Sequence, residues 1–371
     1  MSAREIPVLV LAGGLGSGKT TLLNHLLLER VERLGVIIND FGEINVDTFL
    51  VNSHVDATAA ISGSCLCCIE DTSELDDALT TLAAADLEAI VVEASGLAEP
   101  GPLAALIADA PVDGIAFGGI VQLVDAAAWA TGTLPAREHL RVASLIGVTK
   151  VDRLPEGRVP EDLMDAIREH APSAPIIPIT EGRVDPTWLF DVVAERTDAQ
   201  PTLAAAHAAA LRDEAHHSHA HDHTHEHDHW QQLTLDVPDP VDPDRLVDLL
   251  ANPPRGVYRI KGAAWTDIPW HRDRWVVQGV GGWFRFTRDR WPAGDPRTTR
   301  LVAIGADIDT AAVRSALTGV LSADGELDAN RATVLLRYAE RPGPRPQEQQ
   351  VTFDTVGPSW WPDPESDGSD A

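Results

Sequence analysis

A glycine-rich run near the start of the sequence has the residue types and spacing to bind phosphate. Residues 13–20 read GGLGSGKT and fit the pattern G-x-x-x-x-G-K-[ST] of phosphate-binding loops. Glycines let such a loop curl so that backbone N–H groups point at phosphate oxygens. In this pattern Lys19 contacts the outer phosphates and the Thr20 hydroxyl binds Mg2+. An apolar run before the loop and a helix-like run after it favour this interpretation over a ligand-free turn. The predicted nucleotide-binding residues of the loop are Gly13, Gly14, Gly16, Ser17, Gly18, Lys19, Thr20 and Thr21.

The cysteines form a second candidate site. All three lie within four positions, at Cys65, Cys67 and Cys68, whereas a disulfide framework would scatter them along the chain. Thiolates are soft ligands that suit Zn2+, Cu+ and related ions. Three thiolates leave a fourth coordination position for a carboxylate, a histidine or water, and an open position suits metal transfer. The alternative is a set of buried thiols that behave as small hydrophobic side chains.

A carboxylate-rich segment, residues 39–47, follows the predicted second strand. It is expected at the carboxyl end of that strand, where ligands bind in open α/β sheets. Asp40 and Glu43 are therefore candidate ligands of the metal held by the cysteines. A solvated turn is the alternative for these residues taken alone.

Glu93 and Gly96 are candidates for the second phosphate-binding element. Glu93 ends a short apolar strand, where an acidic residue can bind the Mg2+ of a phosphate loop directly or through water. Gly96 leaves room for the backbone to approach a terminal phosphate. Lys19 and Glu93 are the predicted catalytic residues, and no residue stands out as a catalytic base.

A candidate base-recognition segment, Thr149-Lys150-Val151-Asp152, follows a later strand and is similar to the guanine signature N-K-x-D. In that signature the lysine stem packs on the base and the aspartate accepts two hydrogen bonds from the guanine ring edge. Lys150 and Asp152 are thus predicted to contact the base. Thr149 stands where the signature has asparagine.

A histidine run separates the two halves of the chain. Alternation with acidic and hydroxyl residues prevents an apolar face, so the run is predicted to be a low-complexity linker. Neutral imidazoles bind Zn2+, Ni2+, Co2+ and Cu2+, which makes the run a candidate weak metal reservoir. A hydrophilic tether with incidental metal binding is the alternative. The eight histidines are His216, His217, His219, His221, His223, His225, His227 and His229.

Strand-like and helix-like stretches alternate around these motifs in the first half. This alternation predicts an α/β phosphate-loop NTPase domain with a doubly wound, mainly parallel sheet. The second half contains mostly strand-like stretches and predicts a smaller α+β domain. The predicted parts are a nucleotide-binding domain at 1–200, a linker at 201–230, an α+β domain at 231–356 and a disordered tail at 357–371. Predicted strands cover 6–12, 34–38, 88–92, 115–124, 144–148, 174–179, 231–237, 256–262, 273–279, 282–287 and 299–305; predicted helices cover 73–85, 135–143, 160–170, 185–195, 243–251 and 309–319.

The overall charge excludes some classes of partner. The formal net charge is -28, from 57 acidic and 29 basic residues. Such a surface repels nucleic acid and anionic membranes, so neither is expected as a partner. No apolar run approaches the length of a membrane span, and the N-terminal apolar run is too short for a signal peptide. We therefore expect a cytoplasmic protein.

Five stretches together resemble the CobW family of metallochaperone GTPases, in the CobW/HypB/UreG-like branch of SIMIBI phosphate-loop GTPases. They are GGLGSGKTTLLNHLL, NDFGEINVD, SGSCLCC, IVVEASGLAEP and TKVD, and residues 256–262 with Trp265 resemble the family's C-terminal domain. The resemblance implies GTP hydrolysis coupled to the handling of a transition metal, most often zinc, with cobalt and iron branches. It also implies that the three cysteines bind the delivered metal. Asp40 departs from the family, which usually has glutamate there.

The function hypothesis is a GTP-hydrolysing metallochaperone that passes its metal to a client protein, with a nucleotide-dependent homodimer as a further expected assembly. The expected cofactors are GTP, Mg2+ and Zn2+, with Co2+, Fe2+ or Ni2+ as alternatives to zinc. Three rival hypotheses stay open. One is a zinc store or sensor whose conformation the nucleotide sets. Another is an NTPase with a structural zinc, and the third is a cobalt or iron insertion GTPase for a metalloenzyme or a cobalamin pathway.

Overall fold

The described residues of a computed structural model form two domains, each built on one sheet. The structure describes residues 5–28, 33–40, 57–62, 73–96, 98–129, 131–154, 157–190, 230–268, 273–291, 294–322 and 332–339. The first domain contains strands β1 Ile6–Gly13, β2 Leu34–Asp40, β3 Ala57–Ser62, β4 Ala89–Glu93, β5 Ile115–Asp125, β6 Leu145–Thr149 and β7 Ile176–Ile179. Its helices are α1 Lys19–Leu28, α2 Ser73–Ala83, α3 Pro100–Asp109, α4 Ala126–Trp129, α5 Arg137–Val142, α6 Glu161–His170 and α7 Pro186–Leu189.

The sheet of the first domain has seven strands in the order β3-β2-β4-β1-β5-β6-β7, and every neighbouring pair is parallel. Its central strands β1 and β4 are almost entirely buried, because a parallel sheet covered on both faces needs apolar residues at successive positions. This confirms the predicted doubly wound parallel sheet. The carboxyl ends of β1, β2, β4, β5 and β6 meet at one edge.

The second domain is an antiparallel sheet with helices on one face. Its elements are β8 Trp230–Val237, α8 Pro243–Ala251, β9 Val257–Ala264, β10 Asp273–Val280, β11 Trp283–Arg290, β12 Thr299–Ala306, α9 Thr310–Gly319 and α10 Ala332–Ala339. The strand order is β11-β10-β9-β12-β8. Leu235, Trp275 and Leu301 of the sheet share one core with Leu246 and Leu335 of the helices. The predicted smaller α+β domain is confirmed.

The two domains meet at the amino edge of the parallel sheet, away from its carboxyl edge. Between Val8 and Leu9 the register with β5 shifts by one residue, so that Gly118 forms a β-bulge. The Gly118 carbonyl accepts hydrogen bonds from the Tyr258 hydroxyl at 3.3 Å and the Arg259 guanidinium at 3.4 Å. A cavity of about 310 Å³ lies beside this contact. The bulge therefore gives the second domain a backbone acceptor outside the strand ladder.

Most predicted strands and helices are confirmed, with ends that differ by one to three residues. The sequence analysis missed β3 and helices α3, α4 and α10. The predicted helix 185–195 is described only for Pro186–Leu189, and residues 191–229 and 340–371 lie outside the described residues. The proposed domain boundaries, the linker and the tail therefore stay predictions. Among the described helices, none is long and apolar enough to cross a membrane.

Candidate nucleotide-binding site

The glycine-rich loop lies between β1 and α1, as its pattern predicts. β1 ends at Gly13 and α1 begins at Lys19. Gly16 and Gly18 have φ angles of 72° and 102°, in the left-handed region that favours glycine. The Lys19 ammonium donates to the carbonyl oxygens of Gly13 at 2.8 Å and Gly14 at 3.2 Å, and this side chain is buried. The loop thus forms a compact turn that holds the lysine head over its own backbone.

A cavity of about 300 Å³ joins this loop to the end of β4. Its walls combine backbone amides, one ammonium group, one carboxylate and several hydroxyl groups. Such a mixture suits a phosphate group with a divalent cation. The lining residues are Leu15, Gly16, Gly18, Lys19, Thr20, Thr21, Ile38, Glu93, Ala94, Ser95 and Gly96.

The strand register explains how Glu93 reaches the loop. β4 lies between β2 and β1, and Glu93 is level with Ile38 on one side and Leu11 on the other. Glu93 is only 6% exposed. Two strand positions beyond Leu11 the chain enters the phosphate loop, so the carboxylate and the loop share one end of the sheet.

Gly96 packs directly on the loop. A Cβ atom at Gly96 would lie 2.9 Å from the Leu15 amide nitrogen and 3.4 Å from the Gly14 carbonyl carbon. No side chain fits there unless the two backbones separate. The structure therefore brings together the two predicted phosphate elements, while their roles in binding stay predictions.

The candidate guanine signature lies on the other side of the loop, at the end of β6. The buried Thr149 hydroxyl donates to the Ser17 carbonyl at 2.7 Å, so this residue ties β6 to the phosphate loop. Lys150 adopts a left-handed conformation, with φ 58° and ψ 28°, and its ammonium group pairs with Asp125 at 2.5 Å. Asp152 is exposed on the 3-10 helix Val151–Arg153 and does not line the 300 Å³ cavity. The structure thus places the predicted base contacts beside the phosphate cavity, not in it.

Two family models match the sequence. The model described as CobW/HypB/UreG, nucleotide-binding domain, matches residues 7–178, and that of the cobalamin synthesis protein cobW C-terminal domain matches residues 230–321. A protein of Sinorhizobium sp named zinc chaperone CobW is 31% identical in an alignment of 360 positions, and the match covers 85% of this chain and 98% of the relative. The chain belongs to the CobW family.

Two further matches cover a similar share of the chain. A Pseudomonas aeruginosa protein, also named zinc chaperone CobW, is 31% identical in an alignment of 363 positions, and the match covers 86% of this chain and 92% of the relative. The crystal structure of the Zn(II)-bound YjiA GTPase from E. coli is 22% identical, has a TM-score of 0.39, and covers 85% of this chain and 99% of its own.

The residues around the cavity of this CobW-family chain fit a magnesium ion. Thr20 and Glu93 line the same cavity as the Lys19 head. Hydroxyl and carboxylate oxygens are hard ligands of the kind that Mg2+ prefers, with phosphate oxygens and water completing its octahedron. The two magnesium ligands stay a prediction, and the ion itself belongs to the proposal below.

Asp125 is a charged residue of this site whose role the sequence analysis missed. It is the last residue of β5 and lies level with Thr149 of β6. Its Oδ1 accepts the amides of Ala127 at 2.9 Å and Ala128 at 3.1 Å. Burial favours the neutral carboxyl, but the hydrogen bond and charge of Lys150 and the two amides outweigh burial and lower the pKa of Asp125. The one sequence signal was an aspartate between a strand and an alanine run, typical of a helix N-cap.

The predicted transition-metal ligands lie almost entirely outside the described residues. Cys65, Cys67, Cys68, Glu43 and the eight histidines are not described, and Asp40 is described only as the last backbone position of β2. Among the described residues, no group of three or more His, Cys, Asp or Glu side chains could hold a metal ion. The proposed cysteine site and histidine reservoir therefore stay predictions.

Proposed function

We propose that this chain is a GTP-hydrolysing metallochaperone. It binds GTP in the phosphate-loop cavity, binds zinc at Cys65, Cys67 and Cys68, and passes the metal to a client protein when the nucleotide state changes. The observation that carries the nucleotide part is the cavity of about 300 Å³ in which the loop meets Glu93 and Gly96. Zinc is favoured because the relatives from Sinorhizobium and Pseudomonas are named zinc chaperones.

The residues of the cavity have distinct roles in this proposal. The loop amides and the Lys19 ammonium bind the phosphate oxygens and stabilise the charge that develops on them during hydrolysis. Thr20 and Glu93 hold Mg2+, directly or through water. When bound, the ion would neutralise charge that develops on the phosphate oxygens. Gly96 keeps the backbone after β4 close to the terminal phosphate.

The sheet connects the nucleotide site to the cysteine segment. β2 and β3 pair in register from Gly35 with Ala57 to Asp40 with Ser62, and β2 is also paired with β4 beside Glu93. Cys65 follows the end of β3 by three positions, a span of at most about 10 Å. The end of β3, from which the cysteine segment continues, therefore lies at the same edge of the sheet as Glu93. A nucleotide-dependent rearrangement worth about 1–3 kcal/mol changes metal affinity about 5–150-fold.

GTP hydrolysis by the metal-free, full-length protein tests this function. We expect the hydrolysis rate to rise as Zn2+ is added and to rise less with Co2+, Ni2+ or Fe2+. The affinity for zinc should differ between the protein bound to a GTP analogue and the protein bound to GDP. A flat rate with equal affinities would instead support a zinc store or sensor. A rise specific to cobalt or iron would reassign the cargo.

Replacing Cys65, Cys67 and Cys68 together with serine distinguishes a transferred zinc from the remaining alternative, a structural zinc. We expect loss of metal stimulation with an unchanged basal rate and a native circular dichroism spectrum. Unfolding of the first domain would indicate a structural zinc, since such a site contributes folding free energy directly. Lys19→Ala is the reciprocal control, because it should lose hydrolysis and keep zinc binding.

The histidine run is proposed to raise the local metal concentration near the cysteines. Deleting residues 216–229 should slow zinc loading when zinc is scarce and leave GTP turnover at saturating zinc unchanged. Loss of turnover at saturating zinc would contradict the reservoir role.

Light scattering of the full-length protein with GDP and with a GTP analogue tests the predicted homodimer.

A further inference from the structure

We propose that Asp125 is a positioning residue for recognition of the guanine base. This inference rests on the proposed function, because it assumes that Lys150 and Asp152 contact the base. Asp125 closes β5 and lies beside Thr149, the residue that ties β6 to the phosphate loop. It therefore stands between the phosphate cavity and the turn that presents the base contacts.

The two carboxylate oxygens of Asp125 have separate partners. Oδ1 accepts the backbone amides of Ala127 and Ala128, which fixes the side chain against the first turn of α4. Oδ2 accepts the Lys150 ammonium at 2.5 Å. A carboxylate held on one side by backbone is a stationary anchor for a flexible lysine. The Lys150 stem is thus stretched along a defined line, and its side chain keeps an exposed fraction of 24%.

The anchored lysine also sits at a strained backbone position. Lys150 has a left-handed conformation, which non-glycine residues adopt where the surroundings impose it. The Arg153 amide donates to the Lys150 carbonyl at 3.1 Å, so this conformation sets the direction of the turn that carries Asp152. The ion pair with Asp125 therefore positions both predicted base contacts, the Lys150 stem and the Asp152 carboxylate.

Asp125→Asn tests this role in the full-length protein. Asparagine is as good a helix cap as aspartate. The hydrogen bonds from the amides of Ala127 and Ala128 are therefore kept, while the ion pair with Lys150 is lost. We expect GDP to bind about tenfold more weakly, in keeping with the loss of one charge-assisted hydrogen bond. The ratio of the ADP to the GDP dissociation constant should fall, because Asp152 discriminates guanine from adenine. Titration calorimetry with GDP and ADP measures both constants.

Two controls separate positioning from a merely structural role. Asp309→Asn is the matched cap variant, because Asp309 accepts the amides of Ala311 and Ala312 with the same spacing in the second domain, and it should change neither constant. In the Lys150→Ala background, Asp125→Asn should not change the GDP dissociation constant further, because Asp125 affects binding only by positioning Lys150.

The outcomes distinguish failure of this inference from failure of the proposed function. Equally weakened binding of GDP and ADP would overturn the positioning role. So would a full effect of Asp125→Asn on GDP binding in the Lys150→Ala background. A wild-type preference for GDP that Asp125→Asn leaves unchanged would also overturn it. Equal binding of GDP and ADP by the wild-type protein would instead remove guanine recognition from the proposed function and the inference with it.

Discussion

Gly96→Ala is expected to weaken GTP binding, because the new methyl group has no space. The Cβ would lie 2.9 Å from the Leu15 amide nitrogen and 3.2 Å from the Leu15 Cα. The shorter distance is roughly 0.5 Å inside ordinary van der Waals contact. Both contacted atoms belong to the backbone of the phosphate loop and cannot rotate away. Either the loop or the turn after β4 has to move.

The cost of such a shift follows from overpacking in well-packed sites, about 1–3 kcal/mol. If the strain separates the two phosphate elements, the dissociation constant for GTP rises about 5–150-fold. GDP binding should change less, since Gly96 is predicted to lie near the terminal phosphate. If the strain is instead carried by the folded state without nucleotide, the melting temperature falls by about 2–4 °C for each kcal/mol.

Titration calorimetry with Mg2+ and a GTP analogue, paired with thermal melting, measures both effects. Gly319→Ala is a suitable control, because a Cβ at Gly319 meets no heavy atom within 4 Å and the residue lies at the end of α9. Wild-type GTP affinity together with an unchanged melting temperature in Gly96→Ala would refute the close approach of the two elements.

Three further substitutions test other contacts. Asp152→Asn should lower affinity for GDP and raise it for xanthosine diphosphate, because an amide can donate to the xanthine oxygen at C2; unchanged base preference in calorimetry would exclude Asp152 from base recognition. Thr149→Val keeps the side-chain shape but removes the 2.7 Å hydrogen bond to the buried Ser17 carbonyl, at a cost of about 1–3 kcal/mol. It should lower both the melting temperature and the affinity for GDP. Wild-type values for both would contradict this. Tyr258→Phe removes the hydroxyl that donates to Gly118 and should cost about 0.5–1.5 kcal/mol of stability. An unchanged melting temperature would mean that this contact between the domains contributes no net stability.

The phosphate loop could be predicted from sequence because its chemistry is local. Gly16 and Gly18 adopt positive φ angles that few other residue types adopt, and Lys19 and Thr20 follow at fixed spacing. The buried strands β1 and β4 were equally readable, since continuous apolar runs bounded by turns are typical of a parallel sheet.

The elements that were missed carry weak or misleading local signals. β3 has the sequence ATAAIS, in which Ile61 is the one large apolar residue. Helix α3 begins with Pro-Gly-Pro, which is typical of a loop, yet proline is well suited to the first turn of a helix. In both cases pairing or packing with distant residues overrides the local preference.

The contacts around Thr149 and Lys150 could not be read from sequence at all. Thr149 and Ser17 are 132 positions apart, and Lys150 and Asp125 are 25 apart. The motif comparison recorded Thr149 only as a departure from asparagine. The structure shows instead that its hydroxyl holds the phosphate loop to β6. A motif records residue types, whereas the fold decides which of them touch.

The same two strands serve both the nucleotide site and the contact between the domains. β1 has eight residues, a length of roughly 26 Å, and runs from the domain contact to the phosphate loop. β5 begins beside the second domain, carries the Gly118 bulge, and ends at Asp125. Buried, fully paired strands move as rigid bodies, because close packing leaves no room for local adjustment. β1 and β5 thus form one continuous pair of buried strands from the phosphate loop to the Gly118 carbonyl, which accepts hydrogen bonds from Tyr258 and Arg259 of the second domain.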